Sequence, residues 1–109
     1  MRRIGFLFLA LTALTAAASD AQDAAAGAKV FADQKCSLCH SIAGKGNAKG
    51  ALDEVGGKLS PAEIRSWIED APGMAAKTNA TRKPPMKAYA LAKADADNLV
   101  AYLSTLKKK

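Results

Sequence analysis

A chain of 109 residues with 16 basic and 10 acidic side chains, a formal charge of +6 and half its residues hydrophobic has room for one small domain with little core to spare. Its two cysteines, Cys36 and Cys39, stand three positions apart, too close for a disulfide to staple the fold, and its single histidine leaves it short of the four ligands of a structural zinc site. Of the usual aids to so small an interior, a large cofactor is the one that remains.

At the N-terminus, Arg2 and Arg3 precede an apolar run over residues 4–18 that closes in Ala16, Ala17 and Ala18, with Ala21 just beyond. The run is shorter than the roughly 20 residues that cross a bilayer, and its small-residue end fits a signal peptidase. Residues 1–21 therefore read as an export signal cleaved after Ala18 or Ala21. Residues 22–109 remain as the mature domain in the periplasm, with no stable membrane insertion. Losing Arg2, Arg3 and Asp20 removes little of the positive surplus, which suits a partner with an acidic docking surface; export argues against nucleic acid.

Asp23 is placed to cap a first helix over residues 23–34, with Gly27, Val30 and Phe31 on one face. A glycine within a helix costs about 1 kcal/mol against alanine, so Gly27, one turn before Phe31, predicts a second helix crossing closely there. Residues 41–57, with Gly44, Gly46, Gly50, Gly56 and Gly57, read as an ordered loop. A second helix opens cleanly: Ser60 as cap, Pro61 at the first position, Glu63 completing a capping box, and Ile64, Trp67 and Ile68 as the apolar face, with Pro72-Gly73 as its end. Residues 74–89 read as a basic loop, made extended by Pro84-Pro85 just before Met86. The last helix covers residues 93–106, buries Ala96, Leu99, Val100, Leu103 and Leu106, and starts weakly because Ala92 offers no side-chain oxygen.

The chemistry concentrates in Cys36-Ser37-Leu38-Cys39-His40, the C-x-x-C-H spacing of covalent haem attachment. Two thiols about one turn apart reach the two vinyl groups on a porphyrin edge, and the next residue offers an imidazole to the iron. A dithiol redox site needs no such histidine. As a ligand, His40 must be neutral, with its second ring nitrogen donating to a backbone carbonyl. Without a second histidine, the opposite iron face falls to Met86, to Met74 or to no protein ligand. A thioether there stabilises reduced iron and raises the potential.

Together these residues resemble the class I c-type cytochromes over essentially the whole mature chain. In that family a Gly-x-x-x-aromatic pair on the first helix crosses an aromatic on the last, and Gly27, Phe31, Leu99 and Tyr102 stand in the matching places. The resemblance implies an all-α cytochrome c-like fold of three to four helices and ordered loops around one covalently bound haem c. It also implies Met86 as the axial methionine, within Lys83-Pro84-Pro85-Met86-Lys87-Ala88-Tyr89. The family's Gly-Pro-x-Leu, whose proline carbonyl accepts the axial histidine's N–H, is met in this chain by Gly50-Ala51-Leu52-Asp53, which gives that role to the Ala51 carbonyl and places Leu52 near the haem. Trp67 is either a buried aromatic of the middle helix or, as in some members, an indole donor to a haem propionate. Lys35, Lys45, Lys49, Arg82, Lys83 and Lys87 flank the haem motif and the methionine loop, either ringing the haem edge for docking or as ordinary solvated charge.

The expected function is that of a monomeric electron carrier cycling Fe(III)/Fe(II) between redox proteins, and not of an enzyme. Its rivals are an electron-transfer subunit of a larger periplasmic oxidoreductase, and a haem sensor or gas binder if the methionine leaves the iron.

Overall fold

The structure, a computed structural model, describes residues 23–108. The predicted export signal and its cleavage sites lie outside the described residues. Helix α1 spans Ala24–Asp33, and Asp23 caps it by accepting from the Ala25 and Ala26 N–H groups. Helix α5 spans Lys93–Ser104; no side chain caps its start at Ala92. These two helices cross where Gly27 was expected to permit it. A Cβ on Gly27 would meet the Asn98 carbonyl and would lie 2.6 Å from the Tyr102 Cβ, so only glycine lets the backbones approach. Just beyond, Phe31 and Tyr102 meet edge to face with ring centroids 6.1 Å apart. The Asn98 side chain accepts the Asp23 N–H at 2.9 Å, which pins the first turn of α1 to α5.

Between these helices the chain passes through a 3₁₀ turn at Cys36–Leu38 and a hairpin, β1 Ser41–Ile42 paired antiparallel with β2 Lys45–Gly46. Ala43 and Gly44 turn the hairpin with positive φ (52° and 78°), the handedness that tight hairpins favour. A second 3₁₀ turn, Ala48–Gly50, is capped by Asn47, and helix α2 follows at Val55–Lys58. This short helix was not expected from the glycine-rich sequence. It is held from outside: Gly56 N–H donates to the Leu106 carbonyl at 2.8 Å, and a Cβ there would strike the Ser104 carbonyl.

Helix α3, Pro61–Glu69, carries the complete capping box of Ser60 and Glu63 and buries Ile64 and Ile68 against α5. Pro72-Gly73, expected to end this helix and lead into a loop, instead lies inside a further helix, α4, at Ala71–Thr78. Asp70 makes both ends possible. Its N–H donates back to Ser66, closing α3, while its carboxylate accepts the Gly73 N–H and opens α4, where Pro72 sits in the first turn and loses no bond. The basic loop therefore begins only after Asn79, whose left-handed backbone (φ 55°) stops α4. The described residues thus hold five α-helices rather than three to four. Val30, Phe31, Ile64, Ile68, Leu99, Val100 and Leu103 form one core, and Leu106 is only half-buried beside it. No helix of the described residues is long and apolar enough to cross a membrane.

Arg65 ties α3 to α5 through Asp97, which Lys93 also contacts at 2.8 Å. The hydrogen bond from Lys93, with that from Arg65 added, holds the Asp97 carboxyl below the usual carboxylate range. A group whose pKa is lower folded than unfolded stabilises the fold above its unfolded pKa, about 3.9, and that stabilisation fades as pH falls through the folded value. Asp97→Asn is therefore expected to lower the melting temperature at neutral pH, with the gap from wild type closing toward pH ~2, read by thermal melts across that range.

Candidate functional site

The attachment motif follows directly from the end of α1. Gln34 closes that helix with its N–H on the Val30 carbonyl, and Lys35 then turns the chain through a left-handed backbone (φ 56°) into the 3₁₀ turn. Within it the Cys39 and His40 N–H groups both donate to the Cys36 carbonyl, at 3.1 and 3.0 Å. The two cysteines are thereby held about one turn apart. Asn47 stiffens the far side, its N–H donating to the Ser37 and His40 carbonyls.

His40 Nδ1 lies 3.0 Å from the Gly50 carbonyl. A carbonyl only accepts, so Nδ1 carries the proton and Nε2 keeps its lone pair. Burial pushes the imidazole pKa down; the Gly50 bond opposes this, and the Arg82 charge adds to it. The ring is thus held in the neutral form that a metal ligand requires. The acceptor corrects the expectation for Ala51. That residue is exposed, bridges Ser41 through its backbone and does not line the cavity described below. Counting back two residues from Leu52 in Gly-Pro-x-Leu lands on Gly50, so the leucine, and not the glycine, was the marker to align.

A cavity of about 640 Å³ opens beside the motif, within the range of about 300–1,000 Å³ typical of small-molecule and cofactor sites. Cys36, Cys39 and His40 line one part of it and Met86 another, with Leu52, Ile64, Ile68 and Leu99 supplying apolar wall. Met86 and Met74 are both half-buried, but only Met86 lines the cavity. Pro84, Pro85 and Tyr89 line it too, and Tyr89 N–H anchors the loop's far end to the Ile68 carbonyl at 2.8 Å. Trp67 also faces this space, and its indole N–H takes no protein partner among the described residues, which leaves a donor for an acid group on a bound molecule.

These features fit a haem. The cavity is large and mainly apolar, two free thiols and a neutral imidazole share one segment of its wall, and a thioether lies in it as well. A dithiol redox centre fits less well, because it wants a lowered thiol pKa whereas burial pushes that of Cys36 up. Among the described residues no group of three His, Cys, Asp or Glu side chains is arranged to hold a metal ion.

Lys35, Arg82 and Lys87 also line the cavity, whereas Lys45, Lys49 and Lys83 are exposed and do not line it. Lys87 Nζ lies 5.1 Å from the centre of the Tyr89 ring. Leu38 is the one large hydrophobic side chain left strongly exposed among the described residues, at 71 %, and it too borders the cavity. Sequence reasoning missed one contact at the site. Arg82 was placed among the surface charges, but its guanidinium donates to the Cys39 carbonyl and lies against Gly50. No local signal could have shown a contact spanning 43 positions.

Comparison with known proteins agrees with the geometry. The family model for cytochrome c matches residues 24–107, nearly all of the described chain. Neither the curated proteins nor the solved structures give a significant match. Members of this family carry covalently bound haem c and serve in electron transfer more than in catalysis. By that match, and by the fold and cavity that agree with it, the chain belongs to the cytochrome c family.

Proposed function

We propose that the protein is an exported, monomeric, monohaem electron carrier in which Cys36 and Cys39 hold the haem while His40 and Met86 ligate its iron. The observation that carries this reading is that Met86 lines the same cavity as both cysteines and His40, whereas Met74 does not. Bound there, haem supplies a one-electron Fe(III)/Fe(II) couple. The chain's own residues decide what that couple is used for. His40 Nδ1 keeps its proton and donates it to the Gly50 carbonyl as a hydrogen bond, which fixes the ring and keeps Nε2 available. Ile64, Ile68, Leu99 and Leu103 exclude water from the cavity's interior, and the Trp67 indole is free to donate to a propionate. With His40 and Met86 both engaged in holding the iron, the site would offer no open position to a substrate, which supports a carrier over an enzyme.

Docking falls to the cavity's exposed border, where Leu38 offers an apolar contact among Lys35, Arg82 and Lys87. A basic rim around a small apolar spot suits weak, charge-steered encounter with an acidic redox protein and quick release. The apolar run at residues 4–18 supports a periplasmic location.

The test is carbon monoxide added to the reduced, haem-loaded protein at neutral pH without denaturant. The expected spectrum is unchanged, because Met86 keeps the iron. Prompt formation of the carbon monoxide complex would overturn the carrier reading in favour of a sensor or gas binder.

A further inference from the structure

We propose that Arg82 is a positioning residue that straps the methionine loop to the histidine segment, so that the two axial side chains hold their places relative to one another. The inference rests on the His40/Met86 reading and adds a residue to it. Arg82 stands four positions before Met86, and Pro84 and Pro85 lie between them with their φ angles fixed. An anchor at Arg82 is therefore passed to Met86 with few free torsions.

The anchor itself touches two backbone points, and both orient His40. Nη2 of Arg82 donates to the Cys39 carbonyl, one peptide before His40, and no backbone N–H among the described residues donates to that oxygen. Nη1 lies against Gly50, where a Cβ would displace it, and the Gly50 carbonyl is the acceptor for His40 Nδ1 at 3.0 Å. Gly50 thus serves the site twice, its carbonyl accepting the imidazole N–H and its missing side chain leaving room for the guanidinium. The planar fork of an arginine, with its donors in fixed directions, places one nitrogen on the Cys39 carbonyl and the other beside Gly50. Arg82 is otherwise exposed, and it lines the cavity between the two ligand-bearing segments.

A thioether is a weak ligand for ferric iron, so its hold depends on the loop that presents it, and added imidazole competes for the same position. The test is an imidazole titration of the ferric, haem-loaded protein, read by loss of the weak far-red band that methionine sulfur gives ferric haem. Arg82→Ala is expected to bind imidazole about tenfold more tightly than wild type, the scale of losing one charge-assisted hydrogen bond. Arg82→Lys, which keeps a charged donor, should recover most of that change. Arg65→Ala, which breaks the ties to Glu69 and Asp97 on another face, controls for general destabilisation; it should melt lower and bind imidazole as wild type does. If Arg82→Ala does not load haem, Arg82→Gln is measured in its place with the same expectation.

The strap is overturned if the Arg82 variant stays within about twofold of wild type, or if Arg65→Ala tightens imidazole binding as much as it does. A wild-type protein without the far-red band would overturn the ligand reading itself, an outcome distinct from a normal band with an indifferent Arg82.

Discussion

Replacing Met86 with alanine is expected to lower the reduction potential by on the order of 0.1 V or more, within the ~0.8 V span that haem axial ligands set. A thioether favours Fe(II), so its removal favours the oxidised state, and the vacated position becomes open to small ligands. The same variant should lose the far-red ferric band and bind carbon monoxide when reduced. Met74→Ala, on a methionine that does not line the cavity, should leave potential, band and carbon monoxide behaviour as in wild type. A redox titration of the two variants beside the parent decides it. An unchanged potential in Met86→Ala would remove Met86 from the iron.

The second large effect is on stability and sets two physical terms against each other at one residue. By helix propensity alone, Gly27→Ala should stabilise the protein by about 1 kcal/mol. By packing it should destabilise, because the new Cβ would meet the Asn98 carbonyl and lie 2.6 Å from the Tyr102 Cβ. Overpacking of this kind costs about 1–3 kcal/mol, and relief would require moving α1 away from α5 and parting Phe31 from Tyr102. Packing wins. We expect a net loss of up to ~2 kcal/mol for alanine, or up to roughly 15 °C in melting temperature for a domain of this size, and a larger loss for Gly27→Val. Gly57 is the internal control. It too lies in a helix, but a Cβ there would meet nothing within 4 Å, so Gly57→Ala should be neutral or slightly stabilising. A Gly27→Ala protein as stable as wild type would mean that the helices can part without cost, and close packing would then no longer account for that glycine.

The contrast between Gly27 and Pro72 explains which features could be read from the sequence. Gly27 was legible because its cost inside a periodic helix demands a reason, and Phe31 one turn later supplied the face on which to look for it. The capping box of Ser60 and Glu63 and the cysteine spacing before His40 were legible in the same way, since each is a short-range pattern with one physical purpose. Pro72-Gly73 misled because the pair breaks a helix from inside yet is harmless in a first turn, and the choice between these depends on Asp70 three residues before Gly73 acting as a cap. Helix α2 was hidden for a related reason: Gly56 and Gly57 carry no helical preference, and the bond from Gly56 to Leu106 that holds the helix crosses 50 positions of chain. At the site, Cys36, Cys39, His40, Leu52, Trp67 and Met86, all named from the sequence, line the cavity, but the histidine's acceptor was placed one residue late, on Ala51, and the Arg82 contact had no local signature at all. Contacts between distant loops follow from the tertiary fold, and the sequence marks them only where a glycine or a cap is needed to permit them.

The most direct test of the central claim is the intact mass of the mature protein, purified from a host that matures c-type cytochromes and measured under denaturing conditions after extraction with acidified butanone. The mature protein is expected to begin at residue 19 or 22 and still to carry the mass of one haem, with the added mass mapping to the peptide that holds Cys36 and Cys39. A chain of bare mass, with the haem in the organic layer, would contradict covalent attachment and with it the role assigned to the two cysteines.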